Sequence, residues 1–399
     1  MNEYNIQVNY KKDFWPIVIA LLIIFSSITG FFSLNQYFYI GAIALCGVIA
    51  FNKGKLEMGN KYIPALIIVC ILSILFNDVP SYFRAWQRLG IYTIMLFIMS
   101  PLLISRDSYM LKTKIFIYIW YFTSILSIGS FFCYYLGINY FKIGSTLQGV
   151  NVGTFSGLMN HSMALGPMSG LSTIFLFVHA LLNKKNKAYY YIAAILCLGA
   201  CFVSASRAAV GATIVGCVVA LSIINRNNIS RTYRILLIIV AISSATFPIW
   251  GGVTDFVVEK QEINKEQGGT SFSRDVKFDA RLKEFNISPL YGIGFCTIDP
   301  TLDEVNYSDG QIEPGSSWLA IASMTGVLGL LVMIPLCISS LKKARRIKDD
   351  YWRGILFGML MFYIIHMTVE GYIYAPMSYL SLFFWMIIAV IDGELKYGK

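Results

Sequence analysis

GGVTDFVVEKQEINKEQGGTSFSRDVKFDARLKEFNISPLYGIGFCTIDPTLDEVNYSDGQIEPG, residues 251–315, is the one long polar stretch in a chain otherwise written in apolar runs. Hydrophobic segments precede it, and WLAIASMTGVLGLLVMIPL follows from Trp318. That contrast decides the fold class. The 399 residues are 56% hydrophobic and only 14% charged, with a mean hydropathy of +0.63. A soluble domain is about a quarter charged. Apolar runs of spanning length recur along the chain, and they are continuous rather than alternating, which favours helices over a β-barrel. The expected fold is all-α: a polytopic membrane protein of about 12 transmembrane helices with one large extracytoplasmic loop. Residues 1–250 hold the first nine spans, 251–315 the loop with an amphipathic helix, and 316–399 the last three.

The candidate spans are 14–34, 37–52, 62–77, 88–104, 115–137, 161–182, 188–206, 208–225, 234–250, 316–341, 354–372 and 376–392. Their connecting loops test the count. With Lys11 and Lys12 in the cytoplasm, every second loop is basic: Lys53, Lys55 and Lys61; Arg106, Lys112 and Lys114; Lys184, Lys185 and Lys187; Arg226, Arg231 and Arg234. The last, LKKARRIKDDYWR, is the most basic, and the C-terminus carries Lys396 and Lys399. Positive charge marks the cytoplasmic side, so both termini are expected there. The net charge of +10 is thus a topology signal rather than a nucleic-acid surface. The first span lacks a small-residue cleavage site and reads as retained. Of eight cysteines only Cys296 falls outside the apolar runs, and no CxxC occurs. Neither a disulfide nor a metal site is expected. No Walker loop or dinucleotide fingerprint is present, which argues against an ATP-driven pump.

Arginines on the outer side run against the charge bias and call for another explanation. Arg84 and Arg88 lie in DVPSYFRAWQRLG, Arg207 in SASRAAVG, and Arg274 and Arg281 in the long loop. Guanidinium forks match phosphate oxygens, so the five form a candidate anion-binding set, expected to converge beneath the loop. Solvated or snorkelling side chains are the bland alternative, weakest for Arg207, whose charge is costly beside lipid. Within the loop, Ser271 or Ser273 caps a helix starting near Arg274. Phe272, Val276, Ala280, Leu282 and Phe285 make its apolar face. Arg274, Lys277, Arg281 and Glu284 make a polar stripe suited to a lipid head group. Pro289 stops it, and the glycines of Leu290–Phe295 permit a close backbone approach.

Acid–base candidates are few. His161, in GTFSGLMNHSMALGPMSG (153–170), stands at the outer mouth of a span, as a base, as a group orienting a sugar hydroxyl, or as a helix-start residue satisfied by backbone. Glu370 is a carboxylate near the outer end of the eleventh span, where an unpaired charge is costly. It is placed to pair with an outer arginine or to serve as general base. Asp309 and Glu313 are weaker base candidates. His179 and His366 sit in apolar spans and read as helix–helix hydrogen-bonding groups.

Three pieces in order resemble the O-antigen polymerase and O-antigen ligase superfamily of integral membrane glycosyltransferases. SRAAVG (206–211) is similar to its Ser-Arg-small motif opening a span. RDVKFDARLKEFNISPLYGIGF (274–295) is similar to its arginine helix and Pro-Leu-x-Gly-x-Gly turn. GSSWLAIASMTGVLGLL (315–331) is similar to its final Gly-x-x-Gly motif. The likeness covers roughly residues 150–395. One departure stands out: family ligases place a histidine where this chain has Gly315, which favours a polymerase. The resemblance implies a GT-C-like fold, no cofactor or metal, and a bacterial inner-membrane location. It implies a lipid partner, undecaprenyl-diphosphate-linked oligosaccharide, with a chain-length regulator and a flippase as protein partners, and no nucleic acid. In the reaction so implied, Arg207, Arg274 and Arg281 bind diphosphate, with Arg88 and Arg84 as secondary candidates, while Glu370 and His161 compete for the base or acceptor-orienting role. The alternatives are a glycan ligase, a lipid-linked oligosaccharide flippase, or a noncatalytic scaffold. A flippase is disfavoured because no repeat is evident and the charges gather on one side.

Overall fold

The computed structural model describes residues 10–51, 57–77, 79–80, 83–140, 142–143, 146–147, 155–183, 185–226, 275–302 and 312–398. Among these the chain is helical: α1 Tyr10–Ser27, α2 Gln36–Phe51, α3 Tyr62–Leu75, α4 Ala85–Met99, α5 Arg106–Tyr135, α6 Ser162–Leu182, α7 Lys187–Val203, α8 Arg207–Ile224, α9 Asp275–Ile287, α10 Ser317–Arg346, α11 Asp350–His366 and α12 Tyr379–Tyr397. Two two-residue antiparallel ladders accompany them, β1 (Glu57–Met58) with β2 (Leu103–Ile104) and β3 (Lys142–Ile143) with β4 (Thr146–Leu147). Each expected span whose residues are described has a helix within or across it. The expected span at 234–250 lies outside the described residues. Four of the helices, α5, α6, α8 and α10, are long and apolar enough to cross a membrane. Others are shorter. The 14 residues of α3 reach roughly 21 Å at 1.5 Å per residue, against a hydrocarbon core of about 30 Å.

The chain divides into two compact units. The first comprises residues 1–42, 113–271 and 344–362, and the second 43–112, 272–343 and 363–399.

In the first unit α6 is the hub. Seventeen of its residues are buried, from Ser162 to Ala180, as expected of a helix enclosed by others. Small residues let neighbours come close. Gly166 faces Ser204 and Ser206, and a Cβ there would stand 2.7 Å from Ser206 Cβ. Gly216 of α8 and Gly358 of α11 oppose one another, so that a Cβ on either would lie within 3.0 Å of the other's carbonyl oxygen. This is the small-residue packing by which helices associate without a hydrophobic drive. Thr123 of α5 hydrogen-bonds Ser172 of α6 at 3.2 Å, and His179 meets Tyr351 at 3.3 Å, the helix–helix role expected for that histidine.

In the second unit α12 is enclosed, with every residue from Leu380 to Gly393 buried. Tyr92 of α4 packs its ring 6.4 Å from Trp385, 5.5 Å from Phe295 and 6.1 Å from Tyr374. Helices α4 and α12, a turn of the polar stretch and the α11–α12 connection therefore share one aromatic core.

Candidate functional site

The second unit builds its site around an interruption in α10. Gly326 adopts φ 65°, ψ −162° and breaks the helix, a conformation essentially reserved for glycine. A broken helix leaves backbone groups that must find partners. Here the Ser288–Phe295 turn supplies them. Val327 N donates to Pro289 O at 2.8 Å, Leu328 N to Leu290 O at 3.4 Å, and Ile293 N to Ser323 O at 2.8 Å. From α3, Ser73 Oγ donates to Met324 O at 2.5 Å. The approach is backbone to backbone. Gly292, at φ 73°, leaves no room for a Cβ against Met324 and Thr325, and Gly326 leaves none against Leu290. The two glycine motifs, far apart in sequence, are thus two halves of one joint. Phe76 covers it, with its ring 4.9 Å from Tyr291.

The helix leading into that turn is α9, and its faces are reversed from the sequence expectation. Ala280 is buried as expected, but so are Arg281 and Glu284, both at 0% exposure, while Val276 and Leu282 are 68% and 50% exposed. Arg281 Nη2 pairs with Glu284 Oε1 at 2.9 Å. The same carboxylate oxygen accepts Asp299 N at 2.8 Å. The intended ligand stripe therefore ties α9 to the segment beyond the turn. A binary hydrophobic pattern misassigns the face because Arg281 and Glu284 turn toward each other, and Glu284 toward a backbone donor, rather than toward solvent. Arg281 consequently departs from the expectation of a guanidinium presented to a ligand. The expected caps Ser271 and Ser273, together with Arg274 and Asp309, lie outside the described residues. Lys277 pairs with Glu313 at 2.5 Å, which engages Glu313, the weaker base candidate.

Arg88 bears on the turn from the other side. It stands on the first turn of α4, half-buried, one turn after Arg84, which is exposed and in the left-handed region at φ 52°. The Arg88 guanidinium lies 5.5 Å from the Phe83 ring centroid and acts electrostatically on Cys296. Burial pushes the Cys296 thiol up to about 12, with Arg88 pulling against that rise. Cys296 Sγ also donates to Tyr374 O at 3.4 Å, tying the turn to the loop that carries Glu370.

That loop, residues 367–378, is clamped by the start of α10. Ser317 N donates to Met367 O and Glu370 O, both at 2.9 Å. Ser317 Oγ donates to Glu370 O at 2.6 Å and accepts Tyr372 N at 3.0 Å and Ile373 N at 3.3 Å. Ser316 caps the helix through Leu319 N at 3.3 Å and donates to Met367 O at 3.2 Å. Glu370 is half-buried, and its carboxylate stands electrostatically beside Tyr372 and Tyr379. His366 stacks on Tyr372 with ring centroids 5.7 Å apart. Sequence reasoning did not find Ser317. Its only signal was a Ser-Ser pair before an apolar run, which reads as a cap and nothing more.

The first unit holds His161 and Arg207. Gly166 of α6 abuts Ser204 and Ser206, so the start of α8, with exposed Arg207, lies at the same end of that unit as the start of α6. His161 is the N-cap of α6, with Nδ1 accepting Met163 N at 3.0 Å. A neutral imidazole that accepts on Nδ1 carries its proton on Nε2. Asn160 is held by α1 through Ser27 O at 3.0 Å. Arg84, Arg88, Arg281 and Glu370 belong to the second unit. Among the described residues no cluster of His, Cys, Asp and Glu suits a metal ion.

Residues 192–334 match the family model described as O-antigen ligase. The match opens within α7 and closes within α10, so it takes in Arg207, α9, the glycine turn and the Gly326 break. This match supports the O-antigen ligase and polymerase superfamily. Such family members are membrane-associated, glycosyltransferase-like enzymes that act on lipid-linked glycans. No curated protein matches the chain.

Proposed function

We propose that this protein is a polysaccharide repeat-unit polymerase of the bacterial inner membrane, with both termini in the cytoplasm. In this reading it transfers a glycan from undecaprenyl diphosphate to the next lipid-linked repeat unit on the outer leaflet. A hydroxyl oxygen of the incoming unit attacks the anomeric carbon of the growing glycan. The bond to the diphosphate oxygen breaks, the diphosphate leaves with the electron pair, and the hydroxyl proton passes to a base. Charge develops on the leaving group, so cations aimed at it carry most of the catalysis. Arg207, Arg274, Arg88 and Arg84 are the proposed diphosphate ligands. Arg281 joins them only by exchanging Glu284, and otherwise serves by holding α9 to the turn. Glu370 is the proposed base, and His161 Nε2–H the group that orients a sugar hydroxyl.

The observation that carries the choice of polymerase over ligase is Gly315. By the family resemblance it falls where ligases carry a histidine, and it lies in the left-handed region at φ 77°, where a Cβ would stand 3.1 Å from Lys277 Cβ. A histidine there would be strained and crowded, which supports the reading without a ligase histidine. The test is direct. Purified protein in lipid, given lipid-linked repeat units and no nucleotide, should yield a ladder of glycans on undecaprenyl diphosphate. Transfer only to a lipid A-type acceptor would assign a ligase. Movement across the bilayer with no new glycosidic bond would assign a flippase.

A further inference from the structure

The reversed faces of α9 raise the question of what medium its outer side meets. A helix lying under water buries its aliphatic residues and exposes its charges. Here a charged pair is taken inside, while Val276 and Ile287 are left 68% and 50% exposed on one flank. Along the outermost line between the flanks run Asp279, Lys283 and Asn286, with Asp279 and Lys283 paired at 2.6 Å. Three residues past Ile287 comes Leu290, also 50% exposed, whose carbonyl receives Leu328 N. At that joint begins an apolar stripe on α10. Val327, Leu331, Ile334 and Ile338 recur at helical spacing and are 38%, 62%, 45% and 46% exposed. Because α10 is long and apolar enough to span a bilayer, this stripe is its lipid-facing side.

We infer that α9 is a boundary helix of the bilayer: the Val276–Ile287 flank and Leu290 continue the lipid-facing stripe of α10 into the acyl chains, while the Asp279–Lys283–Asn286 line faces the head groups. The occupant of this surface is lipid, neither a second copy of the chain nor bulk water. The continuity at Leu290 and Val327 supplies the argument, since the backbone bonds that dock the turn on the helix break also join the two apolar surfaces. Paired charges beside aliphatic residues suit that depth, because a lysine stem lies along apolar surface while its head reaches the interface. The inward Arg281–Glu284 pair follows, for charges on the lipid side need internal partners.

The test uses the whole protein in phosphatidylcholine nanodiscs, with an environment-sensitive NBD probe on Ile287→Cys or on Asp279→Cys. Native thiols are buried apart from half-buried Cys217, and the parent protein serves as the labelling blank. The probe at 287 should emit at shorter wavelength and lose about half its intensity when doxyl-labelled lipid is included, with little loss to aqueous iodide, as suits a face sunk into the acyl boundary. The probe at 279 should show the opposite preference. Should Ile287→Cys fail to fold, Val276→Cys reads the same flank. Iodide quenching at 287 would mean a water-covered lid, and protection from both quenchers would mean a protein cover. Either result overturns the inference.

Discussion

Removing one oxygen, in Ser317→Ala, is the sharpest test of how the site is held. The hydroxyl makes one donated and two accepted hydrogen bonds to the Glu370 loop. Its loss affects the three partners unequally. Glu370 O keeps Ser317 N at 2.9 Å, so that carbonyl stays satisfied. Tyr372 N and Ile373 N are the donors left short, and both residues are buried. A buried donor without a partner costs about 1–3 kcal/mol. The Ile373 contact is long at 3.3 Å and contributes at the low end, so about 3 kcal/mol is expected in all. If that energy is what tips a loop otherwise near balance toward its closed form, its loss shifts the open-to-closed ratio by roughly two powers of ten. The ladder-forming rate at saturating lipid-linked substrate should fall by about 10- to 100-fold, with a smaller change in KM, because positioning is lost rather than substrate contact. Ser317→Thr keeps the oxygen and should retain most activity. The assay is the initial rate of glycan elongation by reconstituted protein, with thermal unfolding as a parallel readout. A fully active Ser317→Ala protein would refute the clamp. Glu370→Gln separates the two ideas: if it elongates at the parental rate, Glu370 is not the base, and any Ser317 effect belongs to the fold.

Further expectations concern the joint, the buried pair, the exposed cation and the thiol. Gly326→Ala puts a Cβ against Leu290 O at φ 65° and should destabilise the protein by about 3 kcal/mol, read as a lowered melting temperature in detergent; an unchanged value would mean that the turn does not dock there. Arg281→Ala strands a buried carboxylate and should cost about 3–5 kcal/mol, whereas Arg281→Met with Glu284→Leu should cost much less, a non-additivity measured by a double-mutant cycle. Arg207→Ala removes an exposed side chain, so the melting temperature should hold while the ladder is lost; retained activity removes Arg207 from the diphosphate set. Cys296, its thiol pushed up to about 12, is almost wholly protonated at pH 8, and alkylation should run roughly a thousandfold slower than for an ordinary thiol of pKa about 8.5. Its reactivity should keep climbing up to pH 12, and a plateau near pH 9 would contradict that shift.

Much of the fold was legible because a membrane imposes a coarse code. Apolar runs located the helices, since that signal depends on composition alone. Helix ends were less legible: α4 closes at Ser100 ahead of Pro101, a proline stop that the expected span 88–104 overran. The face of α9 was misread for a different reason. Periodicity assumes that charge seeks water, and Arg281 instead found Glu284. Gly292 and Gly326 were each visible as glycines in family-like motifs, but that they face one another is a tertiary fact. The Ser317 clamp was invisible, because a serine ahead of a helix signals a cap and says nothing about a loop some fifty residues further on.

The placement of the glycines explains why the polar stretch and the final motif occur together in this chain. A span broken at Gly326 is untenable alone, since its freed carbonyls and amides have no water to turn to. A loop carrying Gly292 and Gly294 is equally untenable alone, because both adopt positive φ, at 118° for Gly294 beyond the reach of other residues, and lose the most entropy on ordering. Each supplies what the other lacks: the turn returns hydrogen bonds to the helix, and the helix fixes the turn. Fixing the turn also fixes Cys296 and, through it, Arg88 and the Tyr374 end of the Glu370 loop. A substitution at Gly326 should therefore reduce elongation out of proportion to its effect on melting, because it loosens the cation and the carboxylate together. Parallel loss of activity and stability across a Gly326 series would reduce the joint to a packing feature.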